Sequence, residues 1–202
     1  PRSLYALRIN LKSDRLLAAT LKIESYQYLG LGGPFLEDFR LVHGRVGINN
    51  LVCIEQNENI HKRQIFNRPV DCVACIHDTL ENYIDSTEFS DPVVIWFDYT
   101  EPRDISSQIE RFSRAVFGFP VGSVLRITVN ANPASLGSPD KAAAEVGRFK
   151  TGEADGGGIQ EWRLHRFRER LGNLLPGDLK AEDMTKKNYG KCLLRSLYLA
   201  VE

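Results

Sequence analysis

What the sequence lacks narrows its function first. No apolar run approaches the roughly 20 residues that a membrane-spanning helix needs, so none of the 202 residues reads as part of such a span. No basic, apolar and small-residue succession of a secretory signal opens the chain. There is no net charge, because 26 Lys and Arg residues balance 26 Asp and Glu. That balance excludes a global pull toward nucleic acid or a membrane surface and leaves only local patches. No internal repeat is visible. Cysteine is scarce, at four residues. Cys72-Val-Ala-Cys75 has zinc-ligand spacing, but no second pair answers it, and strand alternation would send the two thiols to opposite faces. Buried, reduced thiols are the expectation, with no metal and a cytoplasmic setting.

The length suits one domain over residues 1–202 with a full core. The chain begins at Pro1 and stops at Glu202 inside an apolar run, which reads as a piece of a longer protein. Residues 1–24 form an N-terminal extension with a helix from Ser13 or Asp14 to Ile23. Five apolar strands follow at Tyr26–Leu31, Leu51–Glu55, Cys72–Ile76, Val93–Phe97 and Ser123–Val129. Helices are expected between them at Pro34–His43, Asn57–Phe66, Leu80–Ile84 and Ile105–Phe117. This alternation predicts a doubly wound α/β fold, a mostly parallel sheet with helices on both faces. Residues 134–158, rich in Gly, Pro, Ala and charge, read as a flexible loop or lid. A helix from Ile159 to Leu171 carries the stripe Leu164, Phe167, Leu171, Leu174, expected to pack in a core. Arg163, Arg166 and Arg170 line another face, read as solvated rather than as a nucleic-acid surface. The run Cys192–Val201 reads as a last strand.

The stretch Tyr26–Phe39 organises the chain. A buried strand ends in Gly30, Gly32 and Gly33, and an amphipathic segment follows at once. Glycine allows positive φ and close approach of a ligand, and amides opening a helix favour an anionic group. In open α/β sheets ligands lie beyond the carboxyl ends of the strands. Polar residues gather at those ends: Glu55, then His77 and Asp78, then Asp98 with Tyr99 and Glu101, then Asn130 and Asn132. A carboxylate at Glu55 suits a ribose diol, or alternatively caps the next helix. Asp78 suits an adenine amino group, or caps the Leu80 helix. Asp98 closes a run with no other polar side chain, so it needs a partner. Asn130 and Asn132 either orient a substrate or stabilise the turn before Pro133.

Together these residues resemble class I S-adenosylmethionine-dependent methyltransferases, with a Rossmann-like fold. More narrowly the chain is similar to a bacterial O-methyltransferase family of unknown substrate. The resemblance rests on Leu7–Lys12, the turn and helix Tyr28–Phe39, Ile54-Glu55, Phe66–Pro69, Trp96–Tyr99 and Thr128–Ala131. The chain departs from the general methyltransferase pattern in three places. Tyr28 stands where an acid is usual, Pro34 replaces a third glycine, and Asp98-Tyr-Thr-Glu-Pro102 replaces the Asp-Pro-Pro-Tyr type of motif.

The resemblance implies methyl transfer from S-adenosylmethionine to an oxygen or nitrogen of an unidentified acceptor. Gly30, Gly32, Gly33, Glu55 and Asp78 would bind cofactor; Asp98 and Glu101, with His77 weaker, would be bases. Tyr99, Asn130 and Asn132 would bind substrate. It also implies an antiparallel edge strand, with Leu193–Val201 as one arm. A magnesium variant would use Asp98, Asn130 and Asn132, but a hard cation prefers more carboxylates. Two other readings stay open. One is a nicotinamide-dependent oxidoreductase, for which Phe35 stands where a glycine is needed. The other is a non-catalytic methyltransferase-like module, such as one in a phage-defence locus, that binds a ligand or a partner protein.

Overall fold

The computed structural model describes residues 4–5, 23–99, 101–137 and 157–202. Backbone contacts divide the chain into two units. One comprises Ala6–Asp98 with Ala115–Ile127, and the other Pro1–Tyr5, Tyr99–Arg114 and Thr128–Glu202. A two-residue strand, β1 (Leu4–Tyr5), belongs to the second. Of the expected N-terminal helix only its last residue, Ile23, lies inside the described residues, where it opens the 3-10 turn Ile23–Ser25, and positions 138–156 of the long loop lie outside them.

The sheet is built from β2 (Gln27–Gly30), β3 (Asn50–Glu55), β4 (Val73–His77), β5 (Val93–Asp98) and β6 (Val124–Thr128). Its order is β6-β5-β2-β3-β4, and the strands run parallel. Parallel strands buried on both faces need apolar residues at successive positions. In β3 Leu51, Val52, Cys53 and Ile54 are all at most 5% exposed. On one face Tyr28, Leu51, Cys53 and Val73 form a cluster with Leu36, Phe39 and Ile48. Each fully buried Leu, Ile or Phe there contributes about 1.5–3 kcal/mol.

Helix α1 (Glu37–Leu41) widens at once into a π-helical turn, Val42–Val46, closed by Gly47 in the left-handed region. It starts three residues later than the expected Pro34, because Leu36 takes a left-handed conformation (φ 51°) and breaks the helical run. Helix α2 (Glu58–Asn67) is capped by the side chain of Asn57, which accepts from the amides of Asn59 and Ile60. Helix α3 (Leu80–Ser86) is capped by Thr79.

The remaining helices are α4 (Ile105–Gly118), α5 (Gly157–Leu171) and α6 (Tyr189–Val201). Leu164, Phe167 and Leu171 of α5 are buried with Trp162, so these three pack in a core as expected, while Leu174, in the 3-10 turn Gly172–Leu174, is half-buried. Phe167 meets Tyr189 of α6 edge-on, with ring centroids 5.3 Å apart. The last element corrects an expectation: Cys192–Val201 is helix, and no antiparallel edge strand is made from it. The run is apolar enough to satisfy either period, but the buried residues of the helix are Tyr189, Gly190, Cys192, Leu193, Ser196 and Leu197. That is three-to-four spacing, one helical face, with Lys191 and Arg195 outside it. Its leucines also favour helix, and no β-branched residue occurs before Val201.

Candidate functional site

The turn after β2 is shaped by packing. A Cβ added to Gly30 would lie 2.8 Å from the Phe39 ring, and one on Gly32 would lie 2.6 Å from it and 2.9 Å from a Leu36 methyl. A Cβ on Gly33 would meet nothing within 4 Å. Gly30 and Gly32 thus let the Phe39 ring seat on the strand end, while Gly33 leaves backbone uncovered. Neither these two nor Gly33 uses positive φ, which corrects the expected reason for glycine here; the left-handed residue of the turn is Leu36.

Side chains that sequence reasoning missed hold this turn. The Gln64 amide donates to the Gly32 carbonyl, the Cys53 thiol approaches the same oxygen at 3.9 Å, and Asn67 Nδ2 donates to the Pro34 carbonyl at 2.8 Å. Gln64 is wholly buried, and its Oε1 has no hydrogen-bond partner among the described residues. The hydroxyl of Tyr28 donates to Asp38 Oδ2 at 2.7 Å. An acidic group therefore stands one hydrogen bond from the position where the general pattern has an acid. Burial pushes the Tyr28 hydroxyl well above its ordinary range, and the charge of Asp38 adds to the effect. Burial likewise raises the Cys53 thiol, with Cys75 and Asp38 contributing.

Register brings the strand-end carboxylates to one level. Leu29 pairs with Val52 on one side and Ile95 on the other, so Glu55 and Asp98 each stand three residues past that pairing. Glu55 pairs with His77, which puts Asp78 one residue further along. Glu55 shares its face with Cys53, whose thiol reaches Gly32. Its Oε1 accepts from the amide of Asn57 at 2.7 Å, and its Oε2 has no donor among the described residues. Asp78 Oδ1 accepts from the Thr79 amide at 2.7 Å and from Asn82 Nδ2 at 3.1 Å. Its Oδ2 is likewise without a donor there. Asp98 is half-buried, and among the described residues no cation or donor meets its carboxylate. His77 is exposed, stacks on His61 and contacts the Gln56 carbonyl at 3.1 Å.

The other predicted residues lie in the second unit. The amide of Tyr99 donates to the Thr128 carbonyl at 3.0 Å. Glu101 Oε1 accepts from the Arg103 amide at 3.0 Å and caps the turn Pro102–Asp104. Asn130 Oδ1 accepts from the Asn132 amide at 3.0 Å, and Asn132 Oδ1 from that of Ala134 at 3.1 Å. These side chains shape their own loops, the second of the two roles read for the asparagines. Arg170, read as part of a solvated face, is instead half-buried. It donates to the carbonyls of Pro102 at 3.3 Å and Ser135 at 3.1 Å, tying the two loops to α5. A helical stripe of arginines signals no such inward contact.

A parallel sheet in this order, with its strand order reversing between β2 and β5 and a glycine turn at that point, is consistent with a class I methyltransferase. The chain belongs to the family described as Putative O-methyltransferase, whose profile matches residues 10–202. No curated protein and no solved structure gives a match.

Proposed function

We propose that this chain transfers a methyl group from S-adenosylmethionine to an acceptor oxygen, with nitrogen as the other acceptor atom. The observation that carries the reading is the alignment at the switch point. Glu55 and Asp98 stand level with the glycine turn, and Glu55 and Asp78 each bond locally through one oxygen and leave the other without a donor. Such donor-free oxygens suit the ribose diol and the adenine amino group respectively. The uncovered backbone at Gly33 suits close approach of a ligand. The residues therefore fit the cofactor.

Bound S-adenosylmethionine supplies an electrophilic methyl group on a sulfonium. The chain's own part is positioning and proton handling. Asp98 takes the proton that an acceptor hydroxyl loses, and Glu101 is the second candidate base. Gln64 and Asn67 keep the turn carbonyls in place. Tyr99, Asn130 and Asn132 belong to the acceptor side, the asparagines by fixing loop shape.

Calorimetry with S-adenosylmethionine and S-adenosylhomocysteine tests the reading, together with methyl transfer from labelled cofactor into a lysate. A charge-assisted hydrogen bond contributes about 1.5–3 kcal/mol, so Glu55→Ala lowers affinity roughly 10- to 100-fold. Full affinity in that variant would remove the proposed site.

A further inference from the structure

The arginine stripe on α5 does more than face water. Arg163, Arg166 and Arg170 follow at spacings of three and four and so share one side of the helix. Because Arg170 binds the Pro102 carbonyl, it holds the neighbouring Arg103 close to the stripe. Arg103 is exposed, and no carboxylate pairs with its guanidinium among the described residues. The buried Nε of Arg163 meets no acceptor there. Arg166 bonds Glu169 at 2.8 Å and lies 5.8 Å from the centre of the Trp162 ring. Three guanidinium groups, those of Arg103, Arg166 and Arg170, thus gather with two carboxylates, Glu101 and Glu169, and His165 shares the latter at 3.2 Å. Burial lowers the pKa of Arg170, and repulsion from Arg166 and Arg103 lowers it further, partly opposed by Tyr189 and Glu101. Like charges held together this way call for an anion between them, and the guanidinium fork matches an oxyanion in shape.

We propose that Arg103, Arg163 and Arg166 bind an oxyanion, a phosphate or carboxylate group, carried by the methyl acceptor. The assignment of that ion to the acceptor rests on the methyl-transfer reading; the ion site itself does not. Three arginines on a chain of zero net charge suit a small molecule, whereas a polynucleotide needs a longer basic track.

The sequence has two tryptophans, so Trp96→Phe leaves Trp162 as the only one. In that background sodium phosphate and sodium acetate are titrated against sodium chloride at equal ionic strength. A saturable change in Trp162 fluorescence with phosphate or acetate, absent with chloride, is expected, and the tighter ion gives the acceptor's group. By calorimetry, Arg103→Ala and Arg166→Ala each weaken that ion about tenfold or more and leave S-adenosylmethionine affinity unchanged. No saturable response to either ion, or equal affinity in both variants, overturns the site. Phosphate binding without S-adenosylmethionine binding keeps the site and removes the methyl-transfer reading.

Discussion

The turn after β2 and the loops after β5 and β6 both sit at strand ends, yet they reach their shape by opposite means. In the turn, shape comes from exclusion. Gly30 and Gly32 have no room for a Cβ beside Phe39, and side chains from α2 grip the carbonyls of Gly32 and Pro34. In the loops, shape comes from local capping. Glu101, Asn130 and Asn132 each accept an amide two residues ahead. The carboxylates of the two regions behave alike: Glu55, Asp78 and Glu101 each bond locally through one oxygen, so what separates the regions is how the backbone beside them is held.

The contrast can be broken at the turn first. Gly32→Ala puts a methyl into the Phe39 ring and a Leu36 methyl, and both neighbours are at most 1% exposed. About 3 kcal/mol of stability is lost, the upper part of the usual overpacking range. Gly33→Ala, with nothing within 4 Å, leaves the urea midpoint within the spread of ordinary surface changes, about 0.5 kcal/mol. Equal losses in the two variants would show that Phe39 does not dictate the turn.

Alkali compares the two units next, since each buries a tyrosine. Burial pushes the Tyr189 hydroxyl up to about 12 from 10.0, against the opposing influence of the nearby Ser135 hydroxyl and the charge of Arg170. A group whose folded pKa is raised keeps its proton longer when folded. Its contribution is therefore complete below pH 10 and fades between pH 10 and 12. A rise of that size corresponds to about 2–3 kcal/mol by pH 12 for this residue. Cys192, raised by burial to about 11 from 9.0, starts the decline earlier. Tyr28 shifts in the same direction. Denaturant midpoints across this range should fall, and Tyr189→Phe should flatten the part above pH 10. An unchanged slope in that variant would place the loss in other groups.

The strands were legible because continuous apolar runs bounded by turn residues have few other uses, and β3 is the plainest case. The polar edge of the sheet was legible for the same reason, since β3, β4, β5 and β6 end in Glu55, His77, Asp98 and Thr128. The reason for the glycines was not. Gly30 answers to Phe39, a contact that no local pattern encodes. Gln64 was invisible for a similar cause: its partner, the Gly32 carbonyl, lies 32 residues away. Cys192–Val201 was misread because most of its positions are apolar, so alternation and helical spacing fit alike. The spacing of four between Leu193 and Leu197, with Lys191 and Arg195 on other faces, was the signal available.

The smaller effects separate grip from capping. Gln64→Ala deprives the Gly32 carbonyl of its amide donor in a buried setting, which costs about 2 kcal/mol. Because the turn loses a holder, S-adenosylmethionine affinity should fall with stability. Asn132→Ala removes a cap from the turn Pro133–Leu136, and an exposed cap of this kind is worth about 1 kcal/mol. If Asn132 only shapes its loop, Asn132→Asp restores the midpoint, since a carboxylate also accepts from the Ala134 amide. Cofactor affinity should then stay level through both changes. If the carboxylate restores stability while methyl transfer remains depressed, Asn132 touches the acceptor itself, and the division between the packed turn and the self-capped loops fails at that residue.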